Sequence, residues 1–248
     1  GSYYFLRQFF FALLGLAAMV LASRVPMSVY EKYALPFAVA TFVLLLLVPF
    51  IGVRANGARR WLGFGAFTVQ PSELAKLAVI LLFSRMICRR RGEMERFSSG
   101  ILPFVGVLAA YIGLLVLEPH FSASIILLAI GAVMLFLGGV RLVWFAAAFL
   151  AAGGGLAVLL LFFPYASERI VPWRDPFSAS SDEGYQIVQS LYTIGSGGLT
   201  GLGLGGSRQK YLYLPEEHND FIFSIICEEL GFIGAALVLV LFAMLILR

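Results

Sequence analysis

Residues 101–139 contain two apolar runs, ILPFVGVLAAYIGLLVL (101–117) and FSASIILLAIGAVMLFLGG (121–139), separated only by the tripeptide EPH (118–120). Each run has the length needed to cross the hydrocarbon core of a bilayer as an α-helix, about 17–25 residues. Both runs are continuously apolar rather than alternating, which favours helices over the strands of a membrane barrel. This stretch therefore predicts two consecutive transmembrane helices joined by a tight turn.

The same pattern extends to both ends of the chain. Further apolar runs of spanning length occupy 4–24, 33–53, 72–88, 143–163 and 221–247. Of the 248 residues, 60% are hydrophobic and 13% are charged, against about 45–50% and about 25% in soluble domains. We therefore exclude a disordered or water-soluble protein. We predict an all-α, polytopic bundle of seven transmembrane helices in one domain, 1–248, with one long extracytoplasmic loop, 164–220.

Basic residues in the short connections set the orientation. Arg24 and Lys32 flank the connection after the first run. Arg89, Arg90, Arg91 and Arg96 follow the third run, and Arg141 follows the fifth. Because positive residues favour the cytoplasmic side, we place these connections there. Connection 54–71 then lies outside although it carries Arg54, Arg59 and Arg60, either by ordinary scatter or because these arginines bind an anion at the outer surface. The positive charges are scattered along the chain, which argues against nucleic-acid binding.

Charged residues also occur inside two apolar runs. Glu73 and Lys76 are spaced i,i+3, which places them on one face of a helix, and we expect them to be buried in the bundle and close to one another. They form either a structural ion pair or part of a substrate cavity. Glu228 and Glu229 lie in the last run. His120 has no partner nearby in sequence, which favours a structural role.

The loop 164–220 is far longer than the usual connection of about 4–6 residues. Its apolar pattern over 185–194 predicts a helix, and the glycine-dense stretch 195–206 predicts turns. Asp175 is preceded by Pro172 and followed by Pro176, and on spacing alone it is a turn residue. An acidic cluster with His218 precedes the last run and indicates either a metal or proton site or a helix N-terminus.

Taken together, six segments resemble the SEDS family (shape, elongation, division and sporulation), which includes FtsW, RodA and SpoVE. They are NGARRW (56–61), QPSELAK (70–76), DPF (175–177), GYQIVQS (184–190), GLGLG (201–205), and LPEEHNDFIF (214–223) with EELG (228–231). The segments follow the family's order and spacing, and they resemble the FtsW/SpoVE branch more than RodA. Many family members carry Gln-Pro-Asp where this chain has Glu118-Pro-His120, which puts in doubt any role requiring an aspartate at His120.

The resemblance implies a peptidoglycan glycosyltransferase in the bacterial cytoplasmic (inner) membrane. Its substrate would be lipid II, a disaccharide-pentapeptide on undecaprenyl pyrophosphate, and its partner a class B penicillin-binding protein. The family's essential outer-loop aspartate matches Asp175, which we therefore predict to be catalytic. A divalent cation, Mg²⁺ or Mn²⁺, is a candidate cofactor with unknown ligands. We predict substrate-binding roles for Arg59, Arg60, Glu73, Lys76, Gln186, Gln189, Lys210, His218 and Asp220, and structural or cavity roles for Glu228 and Glu229.

Two other functions compete with polymerisation. A lipid II flippase would use the intramembrane charges to shelter a polar headgroup, and a scaffold would recruit and activate the penicillin-binding protein. The long, motif-dense outer loop favours chemistry, because transporters place their sites near the bilayer midplane. The family typically has ten helices and this chain matches the second to the eighth, so we expect a fragment of a longer protein.

Overall fold

The structure, a computed structural model, describes residues 2–55, 58–64, 67–118, 120–150, 175, 177, 182–209 and 220–247. It is mostly helical and divides into two compact units, 1–150 and 151–248. The first unit contains α1 (Ser2–Arg24), α2 (Met27–Ile51), α3 (Pro71–Arg89), α4 (Leu102–Leu117) and α5 (Phe121–Leu137). The second contains α6 (Asp182–Ser196) and α7 (Ile222–Leu247).

The helices confirm a polytopic helical membrane protein. Among the described residues, four helical segments are long and apolar enough to cross a bilayer: Phe5–Arg24, Met27–Ile51, Phe97–Leu117 and Ile222–Leu247. The third of these combines a short π-helix, Phe97–Ile101, with α4. Helix α5 is apolar but shorter, and α3 carries several charges. Residues 142–150 are helical, and the rest of the predicted sixth run lies outside the described residues, so the number of spans stays a prediction.

The connection between α2 and α3 departs from the all-α prediction. It forms three antiparallel strands, β1 (Val53–Ala55), β2 (Ala58–Phe64) and β3 (Phe67–Val69), ordered β1-β2-β3. Arg54 pairs with Arg59, and Gly63 pairs with Thr68. Two of the strands have only three residues, too few for an alternating pattern to stand out in the sequence. The sheet places the arginines on paired strands where the sequence indicates a plain connection.

The core of the first unit lies between α2, α3, α4 and α5. Its centre includes an edge-to-face ring pair, Phe83 with Phe104, whose centroids are 4.9 Å apart. The hydroxyl of Tyr111 on α4 donates to the carbonyl of Ala38 on α2 at 2.6 Å and lies 2.9 Å from Thr41 Oγ1. In an apolar bundle such satisfied polar contacts fix the alignment of neighbouring helices.

Ion pairs connect the basic ends of the helices. Arg89 at the end of α3 lies 3.5 Å from Glu31 near the start of α2, and Arg141 pairs with Glu95. These contacts show that the connections after the first, third and fifth runs lie on one side, as their charge predicts. We call this side the basic face, and its cytoplasmic location stays a prediction from the positive-inside rule.

Helix α7 in the second unit is broken at Gly231, where φ is 66° and ψ is −168°. A break removes the helical hydrogen bonds from the N–H groups of residues 232 and 233 to the carbonyls of residues 228 and 229. Membrane-buried backbone groups need other partners, because lipid supplies none. The glycine-rich stretch 197–206, which we call the glycine loop, provides them.

The glycine loop replaces each lost helical bond with two new ones. Phe232 and Ile233 donate to the carbonyls of Gly198 and Leu199, at 2.9 and 3.2 Å. In return, the N–H groups of Leu202 and Gly203 donate to the carbonyls of residues 228 and 229, at 2.9 and 3.0 Å. The loop therefore completes the backbone hydrogen bonding of α7, a role that its composition alone does not indicate.

Candidate functional site

The two neighbouring arginines of β2 lie in different surroundings. Adjacent residues of a strand point to opposite faces. Arg59 is exposed and donates from Nη1 to the carbonyl of Pro49, at the C-terminal end of α2 and 3.0 Å away. Arg60 is half-buried, and its charge acts on Glu118 and His120. The sheet thus separates the predicted arginine pair, and only Arg60 faces a group of other polar side chains.

Glu73 and Lys76 form the predicted contact at the start of α3. Their carboxylate and ammonium groups are 2.7 Å apart. The expectation that both are buried is wrong for Glu73, whose side chain is 57% exposed, and Lys76, at 23%, is only partly buried. Glu73 lies in the first turn of the helix, with Pro71 and the buried Ser72 before it, and so its carboxylate lies at the edge of the packed core. A partly exposed ion pair contributes little stability, so a role in binding explains these residues better than a structural role.

Glu118 is the most unusual charged residue of the first unit. The tight turn between α4 and α5 buries it to 2% exposure, and neither carboxylate oxygen has a hydrogen-bond partner in the described part of the chain. Burial raises the pKa of Glu118 to about 7, against an opposing effect of the Arg60 charge. The group is therefore partly protonated near neutral pH, when it can donate a hydrogen bond as well as accept one.

His120 shares this environment. Burial lowers its pKa, and the charges of Arg60 and Lys76 lower it further, whereas Glu73 raises it. Its Nδ1 atom is buried and lacks a hydrogen-bond partner within the described residues. The carbonyl of His120 accepts the N–H of Ser124 at 3.2 Å, which ties the residue to the first turn of α5. A neutral imidazole thus lies among charged groups, and we name this set the polar cluster: Arg60, Glu73, Lys76, Glu118 and His120.

Sequence reasoning missed the role of Glu118 and treated His120 as a lone structural residue. Both belong to a cluster that also contains three of the predicted substrate-binding residues, Arg60, Glu73 and Lys76. The available signal was the position of a glutamate and a histidine between two long apolar runs. The charges that act on them lie on β2 and α3, in distant parts of the chain, which local patterns do not show.

Replacing Glu118 by glutamine should remove a pH dependence of stability. A carboxyl with a raised pKa stabilises the fold fully below its ordinary value of 4.5, and the effect is lost as pH rises through about 7. We expect the melting temperature of the wild type to fall between pH 5 and pH 8 by about 3–8 °C more than that of Glu118→Gln, corresponding to roughly 1–3 kcal/mol. Thermal unfolding of the detergent-purified protein measures this difference.

Glu93→Gln serves as the control for Glu118→Gln, because it removes an exposed carboxyl beyond the other end of α3. Its melting temperature should follow the wild-type pH profile. Parallel profiles for the wild type and Glu118→Gln would contradict the assignment of Glu118 as the titrating group.

Asp175 lies in the second unit and is exposed. Two residues later, the ring of Phe177 packs against Tyr192 of α6, with centroids 6.2 Å apart. This contact ties the segment carrying Asp175 to α6, whose predicted helical structure is confirmed. Pro172 and Pro176, expected to stiffen the backbone here, lie outside the described residues. Because Asp175 is exposed, its carboxylate is accessible to a substrate.

The remaining predicted binding residues are spread over α6 and the start of α7. Gln186 and Gln189 are half-buried on α6, and Asp220 is exposed two residues before α7 begins. Lys210 and His218 lie outside the described residues. Their roles in binding stay predictions.

Glu228 and Glu229 connect the glycine loop to α7. Glu228 is 1% exposed and accepts hydrogen bonds from Ser207 Oγ and from the backbone N–H of Arg208, the latter at 3.1 Å. Glu229 Oε1 accepts the N–H of Ser207 at 3.4 Å. These contacts favour the structural alternative for Glu228, because its carboxylate holds the end of the loop against the broken helix.

A metal site does not emerge from the described parts of the chain. No three His, Cys, Asp or Glu side chains converge there in a way that could hold an ion. We therefore assign no step to Mg²⁺ or Mn²⁺, and the cation stays a prediction.

Comparisons with known proteins agree with this architecture. The family described as cell cycle proteins, FtsW, RodA and SpoVE, matches residues 1–248. The probable peptidoglycan glycosyltransferase FtsW of Saccharophagus degradans is 41% identical over 250 residues, which cover 100% of this chain and 65% of that protein. Stage V sporulation protein E of Bacillus subtilis is 39% identical over 98% of this chain and 67% of its own length. The chain thus spans about two thirds of the curated relatives it matches.

A solved structure supports the fold. A chain of a peptidoglycan synthase complex, studied for the structural coordination of polymerization and crosslinking, matches with a TM-score of 0.77 and 30% identity. The match covers 98% of this chain and 67% of that one.

Proposed function

Because the chain belongs to the FtsW/RodA/SpoVE family of cell cycle proteins, we propose that it is the membrane part of a peptidoglycan glycosyltransferase. The protein polymerises lipid II into glycan strands at the outer face of the bacterial cytoplasmic membrane. The observation that carries this proposal is the full-chain match to relatives named as probable peptidoglycan glycosyltransferases, at 38–41% identity. The likeness to a chain of a peptidoglycan synthase complex supports a penicillin-binding protein as the partner, and we propose that this partner is of class B.

Asp175 performs the proton transfer in this proposal. A sugar hydroxyl is a weak nucleophile, and a positioned carboxylate accepts its proton as a general base. The acceptor oxygen then forms a bond to the anomeric carbon of the donor sugar while the bond from that carbon to the pyrophosphate oxygen breaks. The bonding electrons leave with the pyrophosphate, so the products are an elongated glycan, undecaprenyl pyrophosphate and a protonated Asp175.

The polar cluster supplies complementary binding chemistry. Arg60 and Lys76 are cationic and suit the phosphate groups of the lipid carrier. Glu118 and His120 present buried atoms that suit hydroxyl and amide groups of a sugar, because such atoms gain most from a new partner. We assign this cluster to recognition of the substrate headgroup.

The flippase alternative has less support from the described residues. Transporters often contain discontinuous helices whose free backbone groups bind the substrate, and α7 is discontinuous at Gly231. Its four freed backbone groups, however, bond to the glycine loop rather than facing an open path. The break therefore serves the architecture of the unit.

Incubation of labelled lipid II with the purified full-length protein and its penicillin-binding partner tests the proposal. We expect glycan strands, resolved by gel electrophoresis, and none from the partner alone. Movement of lipid II across a vesicle membrane without polymerisation would favour the flippase. Polymer formed equally well by the partner alone would favour the scaffold.

Substitution of Arg60 by glutamine should weaken substrate capture. A hydrogen bond to a charged group contributes roughly 1.5–3 kcal/mol, so we expect KM for lipid II to rise about 10- to 100-fold with a smaller change in kcat. Higher ionic strength should reproduce part of this loss in the wild type, because salt screens charge. Steady-state kinetics at two salt concentrations measure both effects.

Arg59→Gln is the matched comparison for Arg60→Gln. Arg59 is exposed and bonded to the end of α2, so we expect its loss to raise KM much less. Equal effects of the two substitutions, or a fall in kcat alone, would argue against the polar cluster as the binding site.

A further inference from the structure

A groove opens at the basic face, on the opposite end of α3 from the polar cluster. It has a volume of about 300 Å³. Its lining residues come from α2, α3 and α4 and from the residue after α3: Leu35, Leu82, Arg85, Met86, Arg89, Arg90 and Val107. Four of these side chains are apolar and three are arginines, and none of the lining residues is acidic. We call this feature the inner groove.

The arginines of the inner groove keep hydrogen-bonding capacity for a ligand. Arg85 has no hydrogen-bond or ion-pair partner among the residues that the structure describes. Arg89 meets Glu31 at 3.5 Å, but both side chains are more than half exposed, and such pairs are weak. Arg90 donates from Nη1 to the carbonyl of Ser99 at 2.7 Å, which fixes the orientation of its guanidinium group.

The position of the inner groove specifies the class of ligand. Positive residues place the basic face at the cytoplasmic surface of the membrane, where the inner leaflet carries anionic lipids. Arg89 and Arg90 lie at the end of α3 and Arg85 lies one turn before them, while Leu35, Leu82 and Val107 supply the apolar part of the lining. A free phosphate ion would match only the arginines, whereas a phospholipid matches both parts of the lining.

We propose that the inner groove binds an anionic phospholipid, with its phosphate against Arg85, Arg89 and Arg90 and an acyl chain along the apolar lining. The bound lipid fills the space between α2, α3 and α4 at their cytoplasmic ends. This site is distinct from the proposed site of lipid II polymerisation, and its test does not depend on the proposed function.

Lipid titration followed by native mass spectrometry tests the site on the full-length protein in a neutral detergent. The probes are phosphatidylglycerol and phosphatidylcholine with identical acyl chains. We expect the wild type to bind phosphatidylglycerol at least about tenfold more tightly. The double substitution Arg85→Gln with Arg89→Gln should weaken phosphatidylglycerol binding by about ten- to thirtyfold and change phosphatidylcholine binding little.

Arg91→Gln with Arg96→Gln is the matched control. It removes two exposed charges from the same face but none from the lining of the groove, so binding should change less than about threefold. An equal loss in this control, or equal wild-type affinity for the two lipids, would overturn the proposal.

Leu35→Trp provides a second, independent variant. Leu35 is about half exposed, so the larger side chain is tolerated by the fold but obstructs the apolar lining. We expect weaker phosphatidylglycerol binding with all arginines intact. Unchanged binding, together with full competition by inorganic phosphate, would show a simple anion site and overturn the phospholipid assignment.

Discussion

Asp175→Asn should lower the rate of glycan-strand formation by about 10²- to 10⁴-fold, the usual effect of removing a general base. The amide keeps the size of the side chain but cannot accept a proton from the acceptor hydroxyl. Asp175 is exposed, so folding should be intact and the melting temperature unchanged. Chain-length analysis of labelled products from the full-length protein and its partner measures the rate.

Asp182→Asn is the appropriate control for Asp175→Asn, because it makes the same chemical change seven residues later, at the start of α6. Polymerisation by this variant should stay within a few-fold of the wild type. Wild-type activity in Asp175→Asn would remove Asp175 from the catalytic step, and the flippase or scaffold function would then have to be tested first.

Gly231→Ala should destabilise the protein by about 2–5 kcal/mol. The residue has a φ of 66°, which disfavours any side chain by roughly 1–2 kcal/mol. A Cβ atom here would also collide with the backbone of Gly201 and Leu199, and such overpacking costs about 1–3 kcal/mol more. We expect the melting temperature to fall by about 5–20 °C, measured by thermal unfolding in detergent.

Two other glycine substitutions distinguish the conformational cause of this destabilisation from the steric cause. Gly203 has a φ of 92° but no atom within 4 Å of an added Cβ, so Gly203→Ala should show only the conformational part of the loss. Gly113 lies in α4 with the same free space, and Gly113→Ala should leave stability unchanged or slightly raised. If Gly231→Ala were no worse than Gly203→Ala, close packing between the loop and α7 would not be the cause.

The transmembrane helices could be predicted because a helix in lipid requires a long apolar run, which is easily recognised in the sequence. A spanning helix must be continuously apolar and about 20 residues long. The runs at 101–117 and 221–247 accordingly match α4 and α7 within a residue or two at each boundary. The shared side of the basic connections could be predicted as well, since the Arg89–Glu31 ion pair joins two of them.

The candidate site could be predicted only in part, because its geometry depends on distant contacts. Family resemblance pointed to Arg60 and Lys76, but the short strands that separate Arg59 from Arg60 have no clear pattern. Glu118 belongs to the cluster because it is buried in the turn after α4, and no local sequence motif indicates that burial. The break in α7 could not be predicted either, since a single glycine such as Gly231 in an apolar run does not by itself indicate a kink.

The hydrogen bonds between the glycine loop and α7 couple two steps of folding. The loop is synthesised before α7, whose two halves expose four unpaired backbone groups wherever the loop is absent. Each such group costs several kcal/mol in hydrocarbon. The broken form of α7 is therefore stable only with the loop docked, so the kink at Gly231 and the docking of the loop form together.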